Sequence, residues 1–254
     1  MGHLRVDSVR CAWAAFVALS TLCWAGAGLA DTIVPHSARY KIKISIASGV
    51  LETNVREDGN EYVVESVLKP TGLARLLTSG TIEEMSRFSV GNDGVRPNVF
   101  ASKDTLSKVD TFMDFAFDWE AGEVRGTVNE DEYRFALDGD IHDRVSIQYQ
   151  LMHNLVVAAD SKDYGLMEGD ELKKLTITTS EPRRLKVPFG TFEVIGVSTQ
   201  AANSKRITTL WCAEELGYLP VLIEQHRKGK RIVRAALTHY EPLPDAATLS
   251  ATAE

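Results

Sequence analysis

Asp114 and Asp118 stand four residues apart in the stretch Thr111 to Trp119 (TFMDFAFDW), and Glu83 and Glu84 are adjacent. Two carboxylates flanking a glycosidic bond can serve as acid and as base or nucleophile. Alternate residues of a strand also share one face, so the same spacing describes the wet side of a sheet, and that reading is the better supported. Five histidines follow residue 30: His36, His142, His153, His226 and His239. No two have HxxxH spacing and no CxxC accompanies them, so no metal site is expected. His153 falls beside an apolar stripe, where a hydrogen-bonded histidine is favoured over a ligand. There is no GxSxG, no phosphate-cradling glycine loop and no dinucleotide fingerprint. The expectation is a protein with no catalytic residues and no cofactor.

Cys11, Cys23 and Cys212 are the three cysteines of the 254-residue chain. The first two lie in a segment that reads as an export signal. Arg5 and Arg10 start it, Cys11 to Trp24 is apolar, and Gly28-Leu29-Ala30 offers small residues for cleavage after Ala30. An uncleaved anchor is the alternative, for which the apolar run is short. Removal of residues 1–30 leaves Cys212 with no internal partner, and beside Trp211 in a strand pattern it reads as a small buried hydrophobe. No second long apolar run follows. A periplasmic protein without a transmembrane span after signal cleavage is expected. The formal net charge of −7 argues against nucleic acid and against anionic headgroups as partners.

The elements that must position these residues are mostly strands. In His36 to Ile46, Tyr40, Ile42, Ile44 and Ile46 alternate with Lys41, Lys43 and Ser45, the pattern of a half-buried strand. Asp58-Gly59-Asn60 is a hairpin turn between two further strands. In Thr111 to Trp119, Met113, Phe115, Phe117 and Trp119 form one apolar face, and Phe112, Asp114, Ala116 and Asp118 the other. From Asp143 to Asp160 the period changes. Val145, Tyr149, Met152, Leu155, Val156 and Ala159 recur at helical steps, with Asp143 as N-cap. The clearest signal is Arg206 to Tyr240, a three-stranded meander over Ile207–Cys212, Tyr218–Gln225 and Ile232–Tyr240, with a turn at Lys228-Gly229. On its middle strand Val221, Ile223 and Gln225 share a face. Strands at about ten-residue spacing point to one sheet. The expected class is mainly β: a large curved antiparallel sheet or incomplete barrel with one covering α-helix. The expected organisation is a signal peptide (1–30), a single β-rich domain (31–244) and a flexible tail (245–254).

Phe112, Phe115, Phe117, Trp119, Leu210, Trp211, Val221 and Ile223 are candidates for lining a ligand cavity. A barrel of this size either encloses one small ligand or is filled by its own side chains, and both readings stand. Four segments carry a family resemblance. They are Ser79 to Glu84 (SGTIEE), Phe117-Asp118-Trp119, Val187 to Glu193 (VPFGTFE), and Thr208 to Trp211 with Leu216 to Val221 (TTLW and LGYLPV). They resemble the bacterial exported family called domain of unknown function 3108. The resemblance implies an envelope location and a β-rich fold, and brings no catalytic residues. The Trp-bearing strand that turns into a Pro-containing return strand is also similar to periplasmic lipoprotein carriers, half-barrels around a lipid. The expectation is a non-enzymatic envelope protein holding a lipid or other apolar molecule in a half-barrel. The alternative is a structural or interaction protein with a filled core, acting through an envelope protein.

Overall fold

The computed structural model describes residues 33–44, 47–76, 78–159 and 163–244. The expected signal segment (1–30) and tail (245–254) lie outside the described residues. The strands run β1 (His36–Ile44), β2 (Ala47–Asp58), β3 (Glu61–Thr71), β4 (Ile82–Gly91), β5 (Gly94–Asp104), β6 (Thr111–Asp118), β7 (Glu123–Val128), β8 (Asp131–Ala136) and β9 (Ile141–His142). Helix α1 (Ser146–Val156) follows, then β10 (Tyr164–Glu168), β11 (Glu171–Thr179), β12 (Arg183–Lys186), β13 (Thr191–Ala201), β14 (Arg206–Ala213), β15 (Leu219–Arg227) and β16 (Lys230–Pro242).

All sixteen strands belong to one open sheet, in the order β8-β7-β6-β5-β4-β3-β2-β1-β16-β15-β14-β13-β11-β10-β9, with β12 paired to β13 beside β11. The fold is mainly β, as the alternating pattern requires. Short hairpins build it. Between β15 and β16, Arg227 pairs with Lys230, and Lys228 and Gly229 both have positive φ, 49° and 73°. That is the pattern of a two-residue hairpin turn whose twist matches the sheet. β1 and β16, from opposite ends of the described chain, are neighbours in the middle of the order, with Tyr40 opposite Leu237.

The antiparallel expectation fails at one end. β9 and β10 are parallel, with Gly165 opposite Ile141 and Leu166 opposite His142. A parallel neighbour needs a crossover of a dozen or more residues, and α1 provides it. Neither strand was signalled by the sequence: one is two residues long, and the other lacks alternation.

The sheet curls around α1. Tyr149 packs its ring 5.2 Å from that of Phe88 on β4, and Gln150 Oε1 accepts the Val95 N–H of β5 at 2.7 Å. Asn154 Nδ2 donates to Tyr164 Oη on β10 at 2.6 Å. Strands near opposite ends of the order therefore touch one helix. A third contact joins the same ends without backbone pairing: Phe100, Phe115, Phe117 and Val124 from β5 to β7 pack with Ile141 and Met167 from β9 and β10.

The helix is shorter than its periodicity predicts, yet its predicted start is chemically right. Asp143 Oδ1 accepts the Val145 and Ser146 amides at 2.7 and 2.8 Å. Ser146 Oγ in turn accepts the Asp143 N–H at 3.0 Å, a reciprocal pairing like that of a capping box but set two residues before the N-cap position, Val145. At the far end Ala158 takes φ 50°, and the Ala159 N–H reaches back to the Asn154 carbonyl at 2.9 Å, a Schellman closure. The single apolar stripe was too narrow a reading. Ser146, Ile147 and Tyr149 to His153 are all buried, because the helix sits inside the curl. Tyr149 and Met152 join the largest core cluster, with Tyr40, Val64, Phe88 and Leu219. Ile147 and Leu151 join a second, with Tyr164, Leu175, Val197, Leu210 and Cys212. No helix among the described residues is long and apolar enough to cross a membrane.

Asp143 also accepts the hydroxyl of buried Ser86 at 2.8 Å. Asp143→Ala loses the cap and leaves that hydroxyl unpaired. The expected loss is about 3 kcal/mol, read as a lower urea midpoint at unchanged slope.

Candidate functional site

Where the curl is wider than the helix, a cleft of about 690 Å³ remains between α1 and strands β10 to β15. Its floor is apolar: Ile147 and Leu151 from α1, Leu166 from β10, Leu175 from β11, Leu210 from β14 and Ile223 from β15. Its charged lining is Arg144, Lys173, Lys205, Arg206 and Arg227, five cations against the single carboxylate of Glu168. The hairpin of β14 and β15 sets this order by strand register. Leu210 lies opposite Ile223, Thr208 opposite Gln225, and Arg206 opposite Arg227. Every second residue points into the cleft, so the wall passes from apolar through neutral polar to cationic. Gln225 Nε2 donates to Thr208 Oγ1 at 3.2 Å on the middle step.

Two of these cations are already paired. Lys173 meets Glu168 at 2.8 Å and Glu171 at 3.1 Å. Arg144 meets Glu84 at 2.7 Å, donates to Ser102 Oγ at 3.0 Å and lies 5.5 Å over the Phe100 ring. β4 presents Glu84, Ser86 and Phe88 inward in alternation, and these take Arg144, Asp143 and Tyr149 respectively. Burial raises the Glu84 carboxyl above its usual range. Arg144 opposes that rise, while Asp143 and Asp104 add to it. Burial likewise raises Asp143, against the hydrogen bonds from Ser146, Ser86 and Val145.

A smaller cavity of about 120 Å³ shares Arg144, Gln148 and Ile223 with the cleft and is lined also by Tyr40, Val64, Glu84 and Tyr149. The Tyr149 hydroxyl and His36 Nε2 are buried there without a protein partner, and a cavity of this size has room for water. Burial lowers the His36 pKa.

The eight cavity candidates separate. Leu210 and Ile223 line the cleft together. Val221 is fully buried in the largest core cluster. Phe115 and Phe117, with half-buried Trp119, fill the space where the sheet ends meet. Trp119 Nε1 donates to the Pro97 carbonyl at 2.8 Å. Trp211 points to the opposite face from Leu210, opposite Leu222 and under the Arg183 guanidinium at 3.4 Å. Phe112 is 46 % exposed. Its place among the candidates is corrected, because it shares the solvent face with Asp114, Ala116 and Asp118, all exposed. Asp114 and Asp118 are about 13 Å apart by strand rise, wider than the roughly 5–9.5 Å of glycosidase carboxylates. Asp118 instead accepts the Ala121 N–H at 2.8 Å and shapes the turn. Cys212 is buried, and burial pushes its thiol up to about 12, so it stays protonated and unreactive.

The sequence reading missed the helix side of the cleft, Ile147 and Leu151, and its basic mouth. The mouth was legible in principle as R-x-T-x-L at Arg206 to Leu210 and I-x-Q-x-R at Ile223 to Arg227. Their antiparallel register was the missing piece.

Sheet, plug and cleft together define a helix-filled, open β-barrel-like protein. The model of the family described as "Protein of unknown function (DUF3108)" matches residues 37–229, and the chain belongs to that family. No curated protein matches it. Among solved structures it is similar to a beta-barrel-like protein of domain of unknown function DUF1849 from Brucella abortus. Identity is 11 %, the match covers 84 % of this chain and 99 % of that one, and the TM-score is 0.57. That likeness concerns the fold.

Folding raises the Glu84 pKa, so between the unfolded and folded values the folded chain binds more proton there than the unfolded one. Its contribution is greatest below the unfolded carboxyl value and declines as pH rises through the raised folded value. Urea midpoints measured from pH 4 to pH 7.5 should therefore fall less steeply with pH in Glu84→Gln than in the parent.

Proposed function

We propose that this protein is an exported, non-enzymatic protein of the cell envelope that binds a lipid-like molecule in the cleft beside α1. The cleft itself carries the reading. At about 690 Å³ it is within the range of small-molecule sites, which are mostly apolar with a few placed polar groups. Export is supported by the charged start, apolar run and small-residue end of residues 1–30. A non-enzymatic role is supported by the scatter of the candidate groups: the Asp114 and Asp118 carboxylates are on the solvent face and the Cys212 thiol is buried.

A second reading, contact with an envelope protein, draws on a different place. Leu73 and Leu76 in the β3–β4 connection are 80 % and 81 % exposed, and Val109 in the β5–β6 connection is 72 % exposed. These two connections are adjacent, since Thr105 and Thr81 hydrogen-bond through their backbones at 2.9 Å. Leu73 and Leu76, three residues apart in one short 3-10 helix and both exposed, form an apolar patch of the kind that marks contact surfaces.

The test is displacement of the uncharged fluorophore N-phenylnaphthylamine from residues 31–254 by monoolein, with the Leu166→Trp variant as control. Binding of monoolein by the parent and a loss of about tenfold or more in the variant, with thermal stability preserved, is the expected result. No displacement from the parent, together with cross-links to an envelope protein that vanish in Leu73→Ser/Leu76→Ser, would replace this reading with the second one.

A further inference from the structure

The cleft's floor and mouth differ in one respect that apolar binding alone leaves unexplained. Lys205, Arg206 and Arg227 line the mouth, and among the described residues none has an acidic group within ion-pair distance, whereas Arg144 and Lys173 beside them are paired. Arg206 and Arg227 are direct cross-strand partners, and like charges in that position repel. Lys228 and Lys230 follow at once, so no acid in the hairpin turn relieves the repulsion. The loop before Arg206 is held in shape. Ser204 Oγ accepts the Arg206 N–H at 3.1 Å, Gln200 Nε2 donates to the Ser204 carbonyl at 2.6 Å, and the Lys228 N–H donates to the Lys205 carbonyl at 3.3 Å. Uncompensated cations at the adjoining ends of β14 and β15, in a chain of net charge −7, form a local field opposite in sign to the whole.

We infer that the ligand is an anionic single-chain amphiphile, its acyl chain over Leu210 and Ile223 and its carboxylate or phosphate head between Arg206 and Arg227. The inference rests on the cleft being a lipid-type site. The polarity ladder supplies the fit. From Leu210 to Arg206 the strand rises about 13 Å, so one molecule with an apolar end and a charged end meets matching groups along its length. Thr208 and Gln225, between the two levels, offer neutral hydrogen bonds where a headgroup joins its chain. Arginine suits the head because its planar fork takes two oxygens of a carboxylate or phosphate at once. Binding an anion there also removes the Arg206–Arg227 repulsion. The net charge of −7 argues against anionic headgroups over the surface as a whole, whereas the charge at this mouth is locally of the opposite sign.

The test compares oleate with monoolein, which share a chain and differ in head charge, each displacing N-phenylnaphthylamine from residues 31–254 at low ionic strength. Oleate is expected to bind at least tenfold more tightly. Arg206→Gln/Arg227→Gln is expected to abolish that preference, with oleate affinity falling at least tenfold. The variant should be no less heat-stable than the parent, since it removes a repulsive pair. Raising the salt concentration should shrink the preference as the charges are screened. Equal binding of the two lipids by the parent overturns this inference and leaves the apolar site standing. Binding of neither removes both. Inorganic phosphate that displaces oleate at equal concentration would show a free-anion site, and this too would overturn it.

Discussion

The carboxylate of Asp143 is fully buried, and its hydrogen-bond donors are shared between two elements: the Ser86 hydroxyl on β4 and the Val145 and Ser146 amides at the start of α1. A buried carboxylate is tolerated only where hydrogen bonds replace its water, and here the replacement ties the helix to the sheet. The neighbouring inward positions of β4 repeat the arrangement, with Glu84 on Arg144 and Phe88 against Tyr149. One strand face thus fixes the height and rotation of the helix start. Gln150 fixes the next turn through the Val95 amide, and Gly94 beside it has φ 109°, where a Cβ would meet Gln150 Oε1 at 2.4 Å. A side chain there is strained in conformation and would displace the Gln150 amide from the Val95 N–H.

An open sheet of this width has an inner face too large for one eleven-residue helix to cover. The structure divides that face in three. Aromatic side chains of β5 and β6 fill the junction of the sheet ends, α1 fills the centre, and the stretch from β10 to β15 is left as the cleft. The alternatives of solid core and cavity both occur, in different thirds of one sheet. The cleft's polarity follows from the meander itself. The β14–β15 pair is buried at its turn end, by Ala213 and Leu219, and exposed at its open end, so its inward positions pass from Leu210 and Ile223 to Arg206 and Arg227 as the strands leave the core.

Bulk electrostatics and local electrostatics point in opposite directions here. A net charge of −7 governs solubility and long-range encounter. Over the roughly 10 Å that salt permits a charge to act, the groups that matter at the cleft are Lys205, Arg206 and Arg227, whose nearest neighbours in the hairpin are also basic. Composition averages over distances at which these charges no longer interact.

The sequence by itself determined most of the strands, because period-two alternation and turn residues are local: Asp58-Gly59-Asn60 and Lys228-Gly229 place their hairpins without reference to the rest of the chain. It also determined the capping role of Asp143, which acts three residues ahead, and that Phe112 and Phe115 lie on opposite faces of β6. Only the tertiary structure decided which apolar face becomes solid and which becomes cleft. Phe115 and Phe117 look as suitable for a cavity as Leu210 and Ile223, and the difference is that Ile141 and Met167, from a distant part of the chain, come to fill the space above them. The same holds for β9, whose two residues pair with β10 because α1 returns the chain in parallel. It holds too for the mouth of the cleft, where cross-strand register brings together arginines twenty-one positions apart. Alternation specifies which way a side chain points. What stands opposite it depends on how far the sheet curls, and that is set by the packing of the whole inner face.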